Sequence, residues 1–506
     1  MVDARSRLDL SERLAALTPE ARATLRASVR RRQGLDGGNA IPRRAGGGAA
    51  PLSFAQQRIW FLEQWEPGGF THNGARAYRL RGRLDEPALE RALALIVDRH
   101  EVLRTVYIVE GREPMQVPLQ AWSLDIPVVD LTSTSPEARD GELRRRMREL
   151  SRQPFDLTSD LMFRPTIFRL ALEEHVLLVR LHHIAFDAFS DRIFLSELSS
   201  AYSRLSVGEE PTLPELAIQY ADFAVWQREH LSEVRMEQLI GYWRARLDGA
   251  PPVLRLPTDG PRRVPQRHEG RHRPVSLSGS LMPAIVELGR AEGATPYMVL
   301  LAAFAVLLYR VSGKDDIVIG TPIANRGHVE LQSIIGFFSN TVAMRLRLNG
   351  NPSFRELLAR ARETTVGAFT HQELPFERVV EELHPRRDPR YNPLFQVNFR
   401  AQAEEGMQLE LAGLEVEPIS FDIGFSRFDL ALELRFESEA ITGYIEYDLD
   451  LFEEATIDGL AAELKSMLGQ LVAQPDRTIL ELDVQPRWLR ASAPRMKPLR
   501  ARSEPL

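Results

Sequence analysis

Between Val176 and Leu205 the chain changes its hydrophobic period, and that change constrains the fold more than any other feature. VLLVRL (176–181) is a continuous apolar run of strand length, which reads as a buried strand. From Ser190 the pattern SDRIFLSELSSAY is helical: Phe194, Leu198, Ala201, Tyr202 and Leu205 share one face, with Ser190 as the expected N-cap. His182 and His183 stand at the junction, in a chain with only eleven histidines, and Asp187 follows in the turn. Side chains alternate along a strand, so the two histidines point to opposite faces, one into packing and one toward open space. A carboxylate at 187 is placed to fix the geometry of the turn.

The remainder describes a large soluble body. Its 506 residues suffice for two to four domains or lobes. Helical patterns (EPALERALALIVDRHEVLR, TPYMVLLAAFAVLLYRVSG) and strand patterns (AYRLRGRL, HVLLVRLHH, DDIVIGTPI) are mixed, so an α/β or α+β body follows. A helical extension is expected over 1–35, a flexible Gly/Ala/Arg-rich linker over 36–50 and a solvated basic tail over 486–506. The net charge of −6, without a basic stripe interleaved with aromatics, argues against nucleic acid as a bulk partner. No apolar run reaches the roughly 18 residues of a membrane span, and MVDARSRLDLSERL lacks a signal peptide's apolar centre. A cytoplasmic location without membrane contact is expected.

Cysteine is absent, which excludes disulfides, thiolate nucleophiles, zinc–thiolate sites and iron–sulfur clusters. Only three of the 64 basic residues are lysines, a bias expected of a GC-rich genome and not a binding signal. Neither a GxxxxGK[ST] loop nor a GxGxxG turn occurs, nor a GGxS-type serine to carry a phosphopantetheine arm. His268 and His272 have i, i+4 spacing, but the glycine and arginines around them suit a loop, and no metal is expected there.

Seven stretches occur in one order: LSFAQQRIWFLEQ (52–64), RHEVLRTVY (99–107), LHHIAFDAFS (181–190), YADFAVW (220–226), IGFFSNTVAMR (335–345), HQELPFERVV (371–380) and RRDPRYNPLFQVNF (386–399). In content and order, from about residue 51 to 485, they resemble the condensation domains of nonribosomal peptide synthetases, whose HHxxxDG signature the third matches. The form of the first and last is most similar to domains that join an L-configured donor, or to hybrid ones following polyketide modules. Two positions depart from the family: Ala188 stands where glycine is usual, and Ser339 where valine is usual.

The resemblance implies an α/β fold of two chloramphenicol-acetyltransferase-like lobes, 51–227 and 228–485, in a V-shaped pseudodimer around a central tunnel. Carrier proteins, donor and acceptor, would dock at opposite mouths and thread phosphopantetheine-borne substrates inward. The protein itself would bind no cofactor and act as a monomer, either free-standing or as a piece of a larger synthetase. The reaction implied is attack of an amine or hydroxyl on a carrier-bound thioester, forming an amide or ester. His183 is the expected catalytic group, as general base or as a hydrogen-bond acceptor that orients the nucleophile. His182 positions it from the packed side. Asp187 is expected to be structural, with Arg99 and Arg104 as its candidate partners. The Ala188 N–H, near a helix start, is placed to position the thioester oxygen. Ser339 and Asn340 are expected to line the tunnel, and Trp226 to be core. Two other readings stand beside this one: a catalytically idle platform for carrier docking or recruitment, and an acyltransferase using a free small-molecule acceptor.

Overall fold

Two mixed sheets, each covered by helices, carry the chain. The computed structural model describes residues 40–482, apart from 66, 265, 278, 385–387, 389, 404–407 and 438–439. The expected helical extension, residues 36–39 of the expected linker and the basic tail lie outside the described residues. The first half runs β1 (Ala50–Pro51), α1 (Phe54–Trp65), β2 (Asn73–Arg81), α2 (Glu86–Arg99), β3 (Thr105–Glu110), β4 (Glu113–Pro118), β5 (Val128–Asp130), α3 (Pro136–Ser151), β6 (Phe163–Ala171), β7 (Glu174–His182), α4 (Ala188–Leu205) and α5 (Tyr220–His230). The second runs α6 (Glu233–Leu247), β8 (Gly270–Leu277), α7 (Leu281–Ala291), α8 (Pro296–Ser312), β9 (Asp316–Ile323), β10 (Asn340–Arg347), α9 (Phe354–Thr370), α10 (Phe376–Leu383), β11 (Val397–Ala403), β12 (Glu415–Pro418), β13 (Leu430–Phe436), β14 (Ile441–Asp448) and α11 (Glu454–Ala473).

In the N-terminal lobe β7 lies between β2 and β6, antiparallel to both. Leu177, Val179 and Leu181 face the core shared with α2 and α4, while Val176 and Leu178 face a smaller core under α3. A strand covered on both faces has no polar side, which is why VLLVRL reads as an unbroken apolar run. The following helix starts earlier than expected. Asp187, not Ser190, is the N-cap of α4, and its carboxylate accepts the Ser190 N–H at 2.9 Å.

The C-terminal sheet has the order β10-β9-β11-β13-β14-β8. Every residue of α8 from Met298 to Leu308 is buried against it. Thr295 caps this helix, Pro296 pre-sets its first turn, and Gly313 ends it at φ 67°. A helix apolar all round is a core helix, and among the described residues no single helix is long and apolar enough to cross a membrane.

Two expected boundaries are corrected. Residues 40–50 are not a free linker: Ile41 is buried, Arg43 donates to Ala217 O, and Arg44 bridges Glu101 and Asp222. Nor does the segment 228–485 stay within its own lobe. Leu331, Ile334, Ile335 and Phe338 pack into the N-terminal core, and β12 joins the edge of the N-terminal sheet antiparallel to β2. These crossings lace the lobes together, the 331–338 segment beside the histidine turn and β12 at the far end of β2.

Candidate active site

Strand β7 ends at His182, and His183 opens the turn that delivers the chain to α4. The two side chains diverge as alternation requires. His182 is buried, its ring 5.6 Å from that of Phe155. His183 is half-buried, beside Phe337 of the second half at 6.0 Å between ring centroids. His183 Nδ1 lies 3.0 Å from Phe186 O. A carbonyl only accepts, so Nδ1 carries the proton and Nε2 keeps its lone pair. Burial pushes the His183 pKa well below the usual histidine value, and the neighbouring Arg427 charge adds to this. The imidazole is therefore neutral at pH 7, with Nε2 able to accept a hydrogen bond or a proton.

His182 takes the other tautomer. Its Nδ1 accepts the Ile184 N–H at 3.2 Å, which leaves Nε2–H for Glu63 Oε1 at 3.5 Å. Glu63 also meets His72 Nδ1 at 2.6 Å, and the His72 carbonyl accepts the His183 N–H at 2.8 Å. Burial alone would raise the Glu63 pKa, but the hydrogen bonds from His182 and His72 outweigh it and hold it at about 2. Burial lowers His72 to about 4 despite Glu63 beside it. Glu63, His72 and His182 present donor atoms close enough together to be tested as a metal centre. The Glu63–His72 separation of 2.6 Å is that of a direct hydrogen bond. Tetrahedral zinc with ~2.0–2.1 Å bonds would hold its ligand atoms about 3.3 Å apart. The cluster is a hydrogen-bonded support for the histidine pair.

Asp187 is buried and structural in its contacts, but its partner is not the expected one. Arg326 donates to Asp187 Oδ1 at 3.0 Å, to Ser190 Oγ at 2.9 Å and to Ile334 O at 2.7 Å, with both charged side chains 1% exposed. Its guanidinium also lies over the Phe338 ring at 4.1 Å. Asp187 Oδ2 accepts the Phe338 N–H at 3.1 Å, tying the turn to the second half. The two expected partners are engaged elsewhere: Arg99 donates to Glu197 at 2.9 Å and to Pro214 O, and Arg104 to Leu119 O at 2.6 Å.

The other motifs converge on this turn. Gln56 donates to Ile184 O at 3.2 Å, and Tyr220 donates to Phe337 O at 2.6 Å while its ring covers Gly336 so closely that a Cβ there would collide with it. His100 accepts the Ile335 N–H at 3.2 Å. Ser339 Oγ reaches Asp187 Oδ2 at 3.4 Å. Asn340 is a correction: its amide donates to Gln372 O and Leu374 O at 2.9 and 2.7 Å, and its oxygen accepts the Thr341 and Phe376 N–H groups. That side chain is consumed in clamping the 372–376 loop and has no hydrogen bond left for substrate. Trp226 is only partly buried, stacked on His230 at 4.5 Å. Ala188 is exposed at the first turn of α4. His272 lies in β8, not in a loop, and pairs with Glu446 at 3.3 Å. Glu63 lies in the first of the seven motifs, and nothing local in the sequence marks His72, Arg326 or Arg427 as part of the site.

With this geometry, comparison with known proteins decides the family. Residues 47–487 match the model of the condensation domain. The chain belongs to the condensation-domain family. As a condensation domain it is 41% identical over 434 residues to a linear gramicidin synthase polypeptide of Brevibacillus parabrevis, covering 85% of this chain and 6% of that protein. It is 40% identical over 478 residues to the phosphinothricin tripeptide synthetase PhsC of Streptomyces viridochromogenes, covering 94% of this chain and 44% of that protein. The chain thus spans less than half the length of these synthetases. Among solved structures it superposes on the X-domain from teicoplanin biosynthesis with a TM-score of 0.81 at 30% identity, covering 88% of this chain and all of that one. The four-domain nonribosomal peptide synthetase AB3403 shares the fold at a TM-score of 0.79 and 23% identity, over 90% of this chain and 35% of that one. The fold class is the expected one, an α/β pair of chloramphenicol-acetyltransferase-like lobes.

Proposed function

We propose that this condensation domain transfers an acyl or peptidyl group from one carrier protein's phosphopantetheine thioester to an amine, or a hydroxyl, on a second, forming an amide or ester. The observation that carries this is the free lone pair of His183 Nε2, on a neutral, half-buried imidazole whose Nδ1–H is committed to Phe186 O. A histidine with a depressed pKa is a weak base toward a ground-state amine. It accepts a hydrogen bond from the nucleophile and orients it. As the new C–N bond forms, the nitrogen turns acidic and its proton passes to Nε2. Collapse of the tetrahedral intermediate breaks the C–S bond, and the leaving thiolate takes that proton. Arg427 and burial, which keep His183 neutral, also disfavour the ammonium form of the acceptor. In this reading the Ala188 N–H, which belongs to the first turn of α4, would stabilise the oxyanion.

Docking of carriers is supported by an exposed apolar patch on α1. Phe61 and Trp65 are 57% and 74% exposed and stacked at 6.3 Å, on the helix face away from Glu63. The test is His183→Ala, assayed by intact mass with acylated donor carrier and loaded acceptor. Product formation should fall by about 10²–10⁴-fold, with the fold and carrier affinity retained. Turnover within about threefold of wild type would remove His183 from the chemistry, since a general base is worth far more.

A second reading, an idle recruitment platform, is favoured by one finding: the teicoplanin X-domain is known in complex with OxyB. It predicts carrier binding without product in the wild-type protein. A free small-molecule acceptor instead of a loaded carrier would appear in the same assay as product released into solution.

A further inference from the structure

The histidine turn belongs to the N-terminal half, yet one cation from the second half reaches its support. Arg427 lies in the loop before β13 and donates through Nε and Nη2 to Thr71 O, at 3.2 and 2.7 Å. The next residue, His72, receives the His183 N–H on its carbonyl and holds Glu63, which meets His182. Through the Thr71–His72 peptide, a path of polar contacts therefore runs from the second half to both histidines. Arg427 is itself fixed on its own side: its N–H donates to Glu446 Oε1 at 3.3 Å, and its carbonyl accepts the Asn392 amide at 2.8 Å. Beside it runs a second seam, where Arg152 lies over the Phe70 ring and donates to Ile423 O and Gly424 O at 2.8 and 3.1 Å, without a hydrogen bond to Thr71 or His72. Gly424, at φ 83°, leaves that guanidinium its space.

We propose that Arg427 is a positioning residue for His183, making the placement of the catalytic histidine depend on closure of the two halves at the Thr71–Arg427 contact. Two consequences follow. Loss of the contact frees the 71–72 backbone and lets the His183 imidazole drift from its position, although the residue itself is unchanged. Loss of the charge removes a field that favours the neutral imidazole. The charged and titratable groups around His183 are His72 before β2, His182 on β7 and Arg427 before β13. Those facing Arg427 are Glu446, Arg58, Glu433 and Glu63. Burial lowers the Arg427 pKa to about 10, so it is charged throughout the neutral range.

The inference rests on the proposed acyl transfer for its kinetic readout. In the full chain, Arg427→Met, Arg427→Lys and Arg152→Met are compared by steady-state kinetics across pH 5 to 9. Arg427→Met should lower kcat on the order of 10- to 100-fold, the range for a small misplacement of a reacting group, with the donor carrier's KM within about twofold. The acidic limb of its pH–rate profile should move to higher pH. Arg427→Lys should return the limb to its wild-type position and recover part of the rate, and Arg152→Met should leave the limb unmoved. An unmoved limb in Arg427→Met, or a limb that moves equally in Arg152→Met, would overturn the proposal in favour of a plain structural seam. A KM change alone would overturn it in favour of carrier docking. If Arg427→Met fails to fold, Arg427→Lys and Arg152→Met still decide: a slowed Lys variant with a wild-type limb supports positioning, and equal losses in both refute it. If the wild-type chain makes no product, the functional reading fails separately. The His183 imidazole titration, followed by NMR with labelled histidine, then tests the inference alone. Its midpoint should rise in Arg427→Met and stay put in Arg152→Met; a midpoint that stays put in both would refute it.

Discussion

Replacing Asp187 by asparagine should act on stability far more than on chemistry. The carboxylate and the Arg326 guanidinium are each 1% exposed, so solvent does not screen their interaction. Asparagine keeps one acceptor, but Asp187 uses both oxygens: Oδ1 receives the Ser190 N–H and Arg326, and Oδ2 the Phe338 N–H. Whichever way the amide turns, its NH₂ faces a donor, and Arg326 is left with an uncompensated buried charge. Breaking one side of a buried pair costs about 3–5 kcal/mol. Three features hold the figure to the lower end, about 3 kcal/mol: the Leu331 and Ile334 carbonyls on Arg326 and the Phe338 ring beneath it. Against a total stability of roughly 5–15 kcal/mol that is a large loss. Urea unfolding followed by tryptophan fluorescence measures it. Arg326→Met and the double variant complete a cycle in which the double should be more stable than the sum of the singles by about 1–3 kcal/mol. An Asp187→Asn protein within about 1 kcal/mol of wild type, yet inactive, would make Asp187 a chemical participant and refute this account.

Acid should destabilise the fold before any carboxylate in it titrates normally. His72 binds its proton at about 4 when folded, against 6.5 for an ordinary histidine, so the unfolded chain takes up more protons between these values and stability falls as pH falls through that window. His72 alone accounts for about 3 kcal/mol, and Glu63, held at about 2, extends the loss below pH 4.5. Urea midpoints unchanged from pH 7 to 4.5 would contradict the burial of this cluster. Ala188→Gly should keep activity within about tenfold of wild type, equivalent to ~1.4 kcal/mol of barrier, because the methyl is exposed at the start of α4. Its stability cost should stay below about 1 kcal/mol, and a larger loss of rate on both a short and a long acyl donor would mark the alanine as tuned. Phe61→Ser with Trp65→Ser should raise the KM for one carrier and leave kcat unchanged, and unchanged kinetics with both carriers would remove α1 as a docking face.

Elements whose local pattern and burial agree are legible in the sequence. The core helix α8 has a Thr-Pro start, an unbroken apolar run and a terminal glycine, and each of these is a local signal. Strand β7 is legible because burial on both faces leaves a continuous apolar run. The pattern sets the start of its helix too late, because Asp187 and Ser190 are both good caps and the sequence does not say which one receives the other's N–H. The short strand β12 gives no signal. It carries four residues, and what makes it a strand is its partner, Arg81 to Tyr78, in the other half of the chain. No local pattern encodes that pairing.

The site divides along the same physical line. His182 and His183 separate by alternation, a rule that needs only adjacent residues, and the structure buries one against Phe155 and leaves the other half-buried beside Phe337. Asp187 is readable as structural because a carboxylate in a buried turn requires a partner. Which partner is not readable. Nearly all basic residues here are arginines, so composition offers many equivalent candidates and chain position favours none. Arg99 and Arg104 lie on the N-terminal side of the turn, but Glu197 and Leu119 O already engage them. Arg326 reaches Asp187 because Leu331 to Phe338 are drawn into the N-terminal core, carrying the neighbouring backbone carbonyls with them. The same holds for His72 and Arg427, each ordinary in its own stretch, and for Glu63, whose motif does not say that it meets two histidines. They acquire a role through the folding of one half against the other, so the support of His183 is a property of the closed pair of lobes and not of the HHxxxD segment alone.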